Sequence, residues 1–283
     1  MKISDSHTDF LTSIKYSSDR QNYIKQIKEY GAKNISCAVF TTNKGFSIDR
    51  ISQYLNELDS FGKKYNINLL LSIEDIGFIK SNDEFDKLIA LRPISVTLTW
   101  NYANQFAGGS YTDLGLSNLG KKYVKLLEEN NILVDTAHLS QSSFWDFCKL
   151  SKLPIYNSHS NIYNLKHHNR NLTDKQIKQI VKTDGYLGIT MYDQFISKNK
   201  ITSKDLAYQF DYLIKNFGYK NFGLGTDLYG IDYDNLPLDI KGYNDLNNFV
   251  KQLKYLGYNK DIIDCILYKN FEDFVNRINC MAN

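Results

Sequence analysis

Ile132-Leu133-Val134-Asp135-Thr136-Ala137-His138-Leu139-Ser140 decides the fold, because an apolar run stops there abruptly and gives way to an acid, a histidine and hydroxyls. One such ending means little. The same change recurs in Lys2–Asp9, which ends on His7 and Asp9, in Ile67–Asp75, which carries Glu74, and in Pro154–Asn161, which carries His159. Four β-like runs in chain order therefore close on histidines and carboxylates. In a closed α/β barrel the C-terminal ends of parallel strands converge on one mouth, where side chains distant in sequence meet. Three histidines and two carboxylates suit a pair of divalent ions such as Zn²⁺. The pattern predicts a two-metal hydrolase.

Outward from these runs, four more complete a set of eight: Asn34–Thr42, Ser95–Trp100, Gly185–Tyr192 and Asn221–Asp227. Between the runs, Arg20–Tyr30, Ile48–Tyr65, Asp83–Leu91, Ser117–Asn130, Gln141–Ser151, Thr173–Thr183 and Ser203–Phe217 show apolar residues at helical spacing. Thr173 and Ser203 read as N-caps. This alternation predicts an α/β fold with parallel pairing, a (β/α)8 TIM barrel. Tyr243–Leu256, Lys260–Leu267 and Phe271–Ile278 read as extra C-terminal helices. Two segments lack any period, Trp100–Gly115 and Asp227–Asn244, and both follow strands at the expected mouth, where long loops carry function.

The 283 residues include only three prolines and no Ser/Gly/Pro-rich stretch, so one metallohydrolase domain over 1–283 is expected. With 42% hydrophobic and 23% charged residues the chain can build a full core. A net charge of +3, spread along the chain without a dense basic run, argues against a nucleic-acid partner. The four cysteines form no CxxC pair, and Cys37 and Cys148 read as buried free thiols. Met1–Asp5 leads straight into the first strand without a signal-like region, and no run reaches the ~18 apolar residues of a membrane span. A soluble, cytoplasmic protein with no membrane partner is the expectation.

Each chemical residue has two readings when taken alone. His7 and Asp9, two apart on a strand, share a face and can bind one metal, or can be an ordinary buried pair. Glu74 beneath the apolar Leu69-Leu70-Leu71 must be paired or metal-bound, and its two oxygens can bridge two cations. His138 and His159 could each be a satisfied core histidine; together with His7 and Glu74 they make a ligand set. Asp135 is either an orienting partner of His138 or a structural hydrogen bonder. His167 and His168 fall in a polar loop and read as surface or rim residues. Arg170 could meet a substrate carboxylate or stand on a solvated face. Asp227, ending Gly223-Leu224-Gly225-Thr226, is either a general base and acid or a capping residue.

As a set these segments carry a resemblance. Ser6-His7-Thr8-Asp9, Ser72-Ile73-Glu74, Thr97-Leu98-Thr99-Trp100-Asn101, Val134 to Ser140, Asn157-Ser158-His159-Ser160-Asn161, Arg170 to Asp174 and Gly225-Thr226-Asp227 occur in the order found in the membrane dipeptidase (renal dipeptidase) family. The chain resembles that family of zinc metallopeptidases along nearly its whole length. The resemblance implies hydrolysis of the amide bond of dipeptides by metal-activated water. It places His7 and Asp9 on one ion, His138 and His159 on the other, and Glu74 across both as a ligand with a catalytic part. It makes Asp227 the acid/base residue and Arg170 the binder of the substrate carboxylate. The family often pairs, so a homodimer is implied.

Three departures fall around the substrate. Trp100 stands where renal-type members carry a substrate-binding histidine, although bacterial relatives can also carry tryptophan there. Phe195 takes the place of an expected tyrosine, and Tyr229 that of a second carboxylate. Two rival readings follow: a hydrolase for another small amide or a D-residue-containing dipeptide, and a weakly active, metal-containing binding homologue.

Overall fold

The structure is a computed structural model that describes residues 1–13, 17–41 and 47–281, with the side chains of 12–13 and 17–22 left aside. Thr42, the expected end of the second strand, lies outside the described residues. Eight parallel strands run in sequential order: β1 Asp5–Thr8, β2 Asn34–Phe40, β3 Asn68–Glu74, β4 Ser95–Thr97, β5 Leu133–Asp135, β6 Tyr156–Ser160, β7 Tyr186–Ile189 and β8 Phe222–Leu224. The sheet closes where Thr8 bridges Leu228, with Asp227 N donating to His7 O at 3.0 Å and Asp9 N to Leu228 O at 3.0 Å. The expected barrel is present, and its seam brings the two ends of the chain's strand series together at the mouth.

Seven main helices alternate with the strands: Ser17–Glu29, Ile48–Tyr65, Asn82–Ala90, Asn118–Glu129, Gln141–Leu150, Asp174–Lys182 and Ser203–Phe217. Five of them start from side-chain oxygens, those of Ser47, Ser81, Ser117, Ser140 and Thr173, that accept otherwise unpaired first-turn N–H groups. Ser140 caps Gln141–Leu150 through Ser143 N, two residues after His138. Thr173 caps Asp174–Lys182 in a reciprocal box with Gln176, three residues after Arg170. The expected cap at Ser203 falls one residue earlier, on Thr202, whose partner is Asp205.

The strands are shorter than the apolar runs that announced them. Trp100, His138 and Asp227 lie beyond β4, β5 and β8. His138 and Asp227 have φ of 67° and 59°, a left-handed backbone that leaves the ladder, which periodicity does not reveal. The last two expected helices are joined: Lys260–Asp264 passes through a π segment, Cys265–Lys269, into Asn270–Met281. This stretch covers the N-terminal end of the barrel. Ser4 N donates to Leu267 O at 2.8 Å, and Phe274 stacks on Tyr156 with ring centroids 5.4 Å apart.

The barrel interior is tightly packed at Gly188 and Gly225. A Cβ at either would lie 2.0 Å or 1.9 Å from the Ser158 carbonyl oxygen, so no larger residue fits without moving backbone. Cys37 is buried as expected, whereas Cys148 is only partly so. Among the described residues no helix is long and apolar enough to cross a membrane.

Candidate active site

His7 and Asp9 arrive from β1, and Glu74 is the last residue of β3. His138 follows β5, His159 lies within β6, and Asp227 follows β8. All six meet at the mouth. His138 Nε2 is 2.8 Å from Glu74 Oε1 and 3.0 Å from His159 Nε2. His7 Nε2 faces three carboxylates without bonding any of them: Glu74 Oε2 at 3.6 Å, Asp9 Oδ2 at 3.8 Å and Asp227 Oδ1 at 3.8 Å. His7, Asp9, Glu74, His138 and His159 are each at most 5% exposed. The two left-handed residues, His138 and Asp227, both point into this cluster, and strained backbone of this kind concentrates at functional sites.

The opposite ring nitrogens all have partners. His138 Nδ1 lies 2.9 Å from Asn101 Oδ1, which also accepts from Ser110 Oγ at 3.2 Å. Ser158 Oγ lies 2.7 Å from His159 Nδ1 and 3.3 Å from His7 Nδ1. Asp135 does not touch His138. Its Oδ1 accepts from Ala137 N and Ser158 N at 3.0 and 2.9 Å, so of its two sequence readings the structural hydrogen bonder holds. The reason is the left-handed turn at His138, which swings the ring away from the carboxylate at the strand end.

The cluster is electrostatically incomplete. Burial opposes charge on every member, yet three carboxylates share it. Burial and the neighbouring acids Asp9 and Glu74 push the Asp227 carboxyl well above its ordinary range, against the pull of His7. Burial raises Asp9 as well, with Glu74 adding to the shift. Burial works against the ionised form of Glu74 too, but the close contact with His138 and the nearby His7 ring outweigh it and hold that carboxyl far below the usual range. Burial, together with the Arg170 charge, lowers His138 to about 4.

These residues fit divalent cations. His7 Nε2 is buried without a hydrogen-bond partner, in front of acceptors too distant to share a proton. Tetrahedral Zn²⁺ with bonds of ~2.0–2.2 Å spaces its ligands by about 3.3–3.6 Å, close to these separations. Two triplets of ligand atoms lie within 4.8 Å of one another, His7/Glu74/His159 and His7/Asp9/Asp227.

In front of the cluster is a cavity of ≈ 660 Å³ lined by Trp100, Arg170, Phe195, Asp227 and Tyr229, all singled out in the sequence, and by the rim residue His168. His167 instead is exposed and stacks on Tyr163. Arg170 is 3% exposed, which removes its solvated-face reading. Its Nη2 donates to His159 O at 3.1 Å, its guanidinium lies 5.5 Å from the Phe195 ring, and its buried Nε has no hydrogen-bond partner. Trp100 packs 5.4 Å from Phe40 and 6.0 Å from His138, ring to ring.

Sequence reasoning missed Asn101 and Ser158, which contact the ring nitrogens, and Tyr111 and Tyr192, which line the cavity. Tyr192 ends the seventh apolar run, so the strand-end rule could have found it. Asn101 and Tyr111 stand in the aperiodic loop after β4, where nothing distinguishes a lining residue from its neighbours. Ser158 directly precedes His159, a position that carries no signal in the sequence alone.

Comparison with known proteins bears on this geometry. An uncharacterized dipeptidase from Schizosaccharomyces pombe is 30% identical over 163 residues, covering 54% of this chain and 38% of that one. The solved structure of dipeptidase AC, a metallo peptidase of family M19, matches with a TM-score of 0.83 at 18% identity over 98% of both chains. A metallo peptidase from Rhodobacter sphaeroides, liganded with a phosphinate mimic of the dipeptide L-Ala-D-Ala, matches at 0.82 and 17% identity over 98% of this chain and 99% of that one. These structures share the barrel. The family model described as membrane dipeptidase, peptidase family M19, matches residues 13–282, and the chain therefore belongs to that family of metallo-dipeptidase hydrolases.

Proposed function

We propose that the chain hydrolyses the amide bond of dipeptides with two divalent cations, most simply Zn²⁺. His7 and Asp9 would hold one cation, His138 and His159 the other, with Glu74 shared. The observation that carries this reading is Glu74, whose two oxygens face different histidines, Oε1 toward His138 and Oε2 toward His7. Divalent ions bound there supply Lewis acidity, which acidifies water and polarises a carbonyl.

The chain's own groups do the rest. Asp227 Oδ1 stands 3.8 Å from His7 Nε2 at the cavity wall, and its raised pKa suits a group that must hold a proton in mid-reaction. It takes the proton of the attacking water as the C–O bond forms. It returns that proton to the amine nitrogen as the C–N bond breaks. Arg170, buried and with Nε free, pairs with the C-terminal carboxylate of a short substrate. Phe195 and Trp100 form apolar walls around the substrate.

Trp100 also favours a second reading. Its indole stands beside His138 and offers one donor and no titratable nitrogen. Selectivity for a D-residue-containing dipeptide or another small amide follows if that bulk reshapes the pocket, and the ligand of the Rhodobacter sphaeroides structure is a mimic of such a dipeptide. The experiment is metal analysis of the purified chain with a hydrolysis screen over L,L-, L,D- and other small amides. Plain dipeptide turnover supports the first reading and selective turnover the second. Metal content without turnover supports a binding homologue, and absence of stoichiometric divalent ion that added Zn²⁺ does not correct refutes the metal centre.

A further inference from the structure

A histidine that binds a cation must keep one ring nitrogen bare, and the partner of the other nitrogen decides which one. For His138 that partner is Asn101 Oδ1. For His7 and His159 it is a single shared atom, Ser158 Oγ, at 3.3 and 2.7 Å. A hydroxyl has one proton and two lone pairs. A neutral ring that gives Nε2 to a cation carries its proton on Nδ1, so the two lone pairs of the hydroxyl match the two ring N–H groups. The Asp135 carboxylate accepts from Ser158 N and Ala137 N at 2.9 and 3.0 Å and fixes the backbone that carries this hydroxyl.

We infer that Ser158 is a positioning residue shared by His7 and His159, its hydroxyl holding both Nδ1–H groups and so presenting both Nε2 atoms bare to the cations. The inference rests on the two-cation reading above. Because that reading assigns His7 and His159 to different ions, one hydroxyl governs both sites at once. Asn101, by contrast, acts on His138 alone. The backbone is tight at this point: the Ser158 carbonyl is wedged against Gly188 and Gly225 and accepts from Ser6 Oγ at 2.6 Å, which fixes the backbone from which the hydroxyl projects.

The test strips the full chain of metal with a chelator and titrates it with Co²⁺ by calorimetry, following the visible ligand-field spectrum in parallel. The parent takes up two ions. Ser158→Ala weakens both binding steps by roughly 10–100-fold, the range seen when a partner of a ligating histidine is removed, and shifts the bands of both ions. Asn101→Ala weakens one step only, and Ser158→Thr, which keeps the hydroxyl, restores both. Ser158→Cys keeps the shape of the side chain but replaces the hydroxyl with a weak acceptor, so it weakens both steps if the alanine variant does not fold. Two ions bound to Ser158→Ala, or to Ser158→Cys where the alanine variant does not fold, as tightly as to the parent, or a loss confined to one step, overturn the inference while leaving the metal centre standing. A parent that takes up fewer than two ions overturns the two-cation reading and this inference with it, a result separable from the first on the parent titration alone.

Discussion

Replacing Arg170 with methionine removes a buried charge at nearly constant volume, and the structure sets the size of the effect. The guanidinium spends Nη2 on the His159 carbonyl and approaches Ser160 Oγ with Nη1 at 3.4 Å, which leaves Nε and the outer N–H groups for a ligand. Two charge-assisted hydrogen bonds at ~1.5–3 kcal/mol each come to about 3–6 kcal/mol. Allowing for water that competes for the outer N–H groups, the net loss is about 2–4 kcal/mol, or roughly 30- to 1000-fold in kcat/KM. The assay compares each dipeptide with its C-terminal amide. The parent should favour the free acid by a factor in that range, and Arg170→Met should erase the preference by losing the acid while hardly changing the amide. The effect should fall mainly on KM, because the carboxylate is bound equally before and during reaction. A variant that still discriminates acid from amide as the parent does would refute the assignment of Arg170. An equal fall on both substrates would show instead that Arg170 holds the His159 strand in place.

Asp227→Asn should lower kcat by about 10²- to 10⁴-fold, the range for a general acid–base group, and yet stabilise the metal-free chain near neutral pH. The sign follows from the raised folded-state pKa of Asp227, caused first by burial and then by Asp9 and Glu74 against the pull of His7. Its contribution to stability is full below the unfolded carboxyl value of about 3.9 and is lost as pH rises through the folded value; thermal melts of metal-free parent and variant that keep a constant offset from pH 3 to 8 would sink this account. Gly225→Ala should destabilise the fold by about 3 kcal/mol or more, since its Cβ would meet the Ser158 carbonyl at 1.9 Å with backbone on both sides, as read from the denaturant midpoint at unchanged m. Trp100→His should raise kcat/KM on plain L,L-dipeptides, by up to roughly 100-fold if the new ring supplies an oxyanion donor; no gain would mean that the tryptophan did not set the specificity.

The strand-end rule worked for His7, Asp9, Glu74 and His159 because a strand that stops at the mouth of a barrel delivers its last side chains there whatever precedes them. It located His138 and Asp227 without explaining them, since both project from left-handed residues beyond the ladder. The proposed metal ligands are legible because such chemistry needs particular residue types. The hydrogen-bonding layer around them is not, because a serine beside a histidine or an asparagine in a loop is common anywhere. Asp135 shows the limit well. It is near His138 in sequence and was the natural candidate to orient that ring, but one left-handed turn sends His138 to Asn101 and leaves Asp135 behind Ser158.

Asp5 gives the physical reason why the barrel tolerates so frustrated a cluster. It was not singled out in the sequence, yet it is fully buried beneath the site and every hydrogen bond it can use is filled. Oδ1 accepts from Thr226 N at 2.9 Å and His7 N at 3.2 Å, and Oδ2 accepts from Thr226 Oγ1 at 2.5 Å and Tyr243 OH at 2.7 Å. These donors come from β1, from the turn after β8 and from the segment beyond it, so one carboxylate ties His7 and Asp227 to a common frame. One layer higher the arrangement differs: Asp9, Glu74 and Asp227 converge on a His7 nitrogen that bonds none of them. Folding alone gives no reason for two adjacent layers of the same barrel to treat buried acids so differently. A satisfied layer that holds an unpartnered His7 nitrogen in front of three acids is what a cation-binding site requires, because the rigid layer prevents the acids from relaxing apart. Weakening the lower layer should therefore act on the upper one through geometry, without touching any ligand.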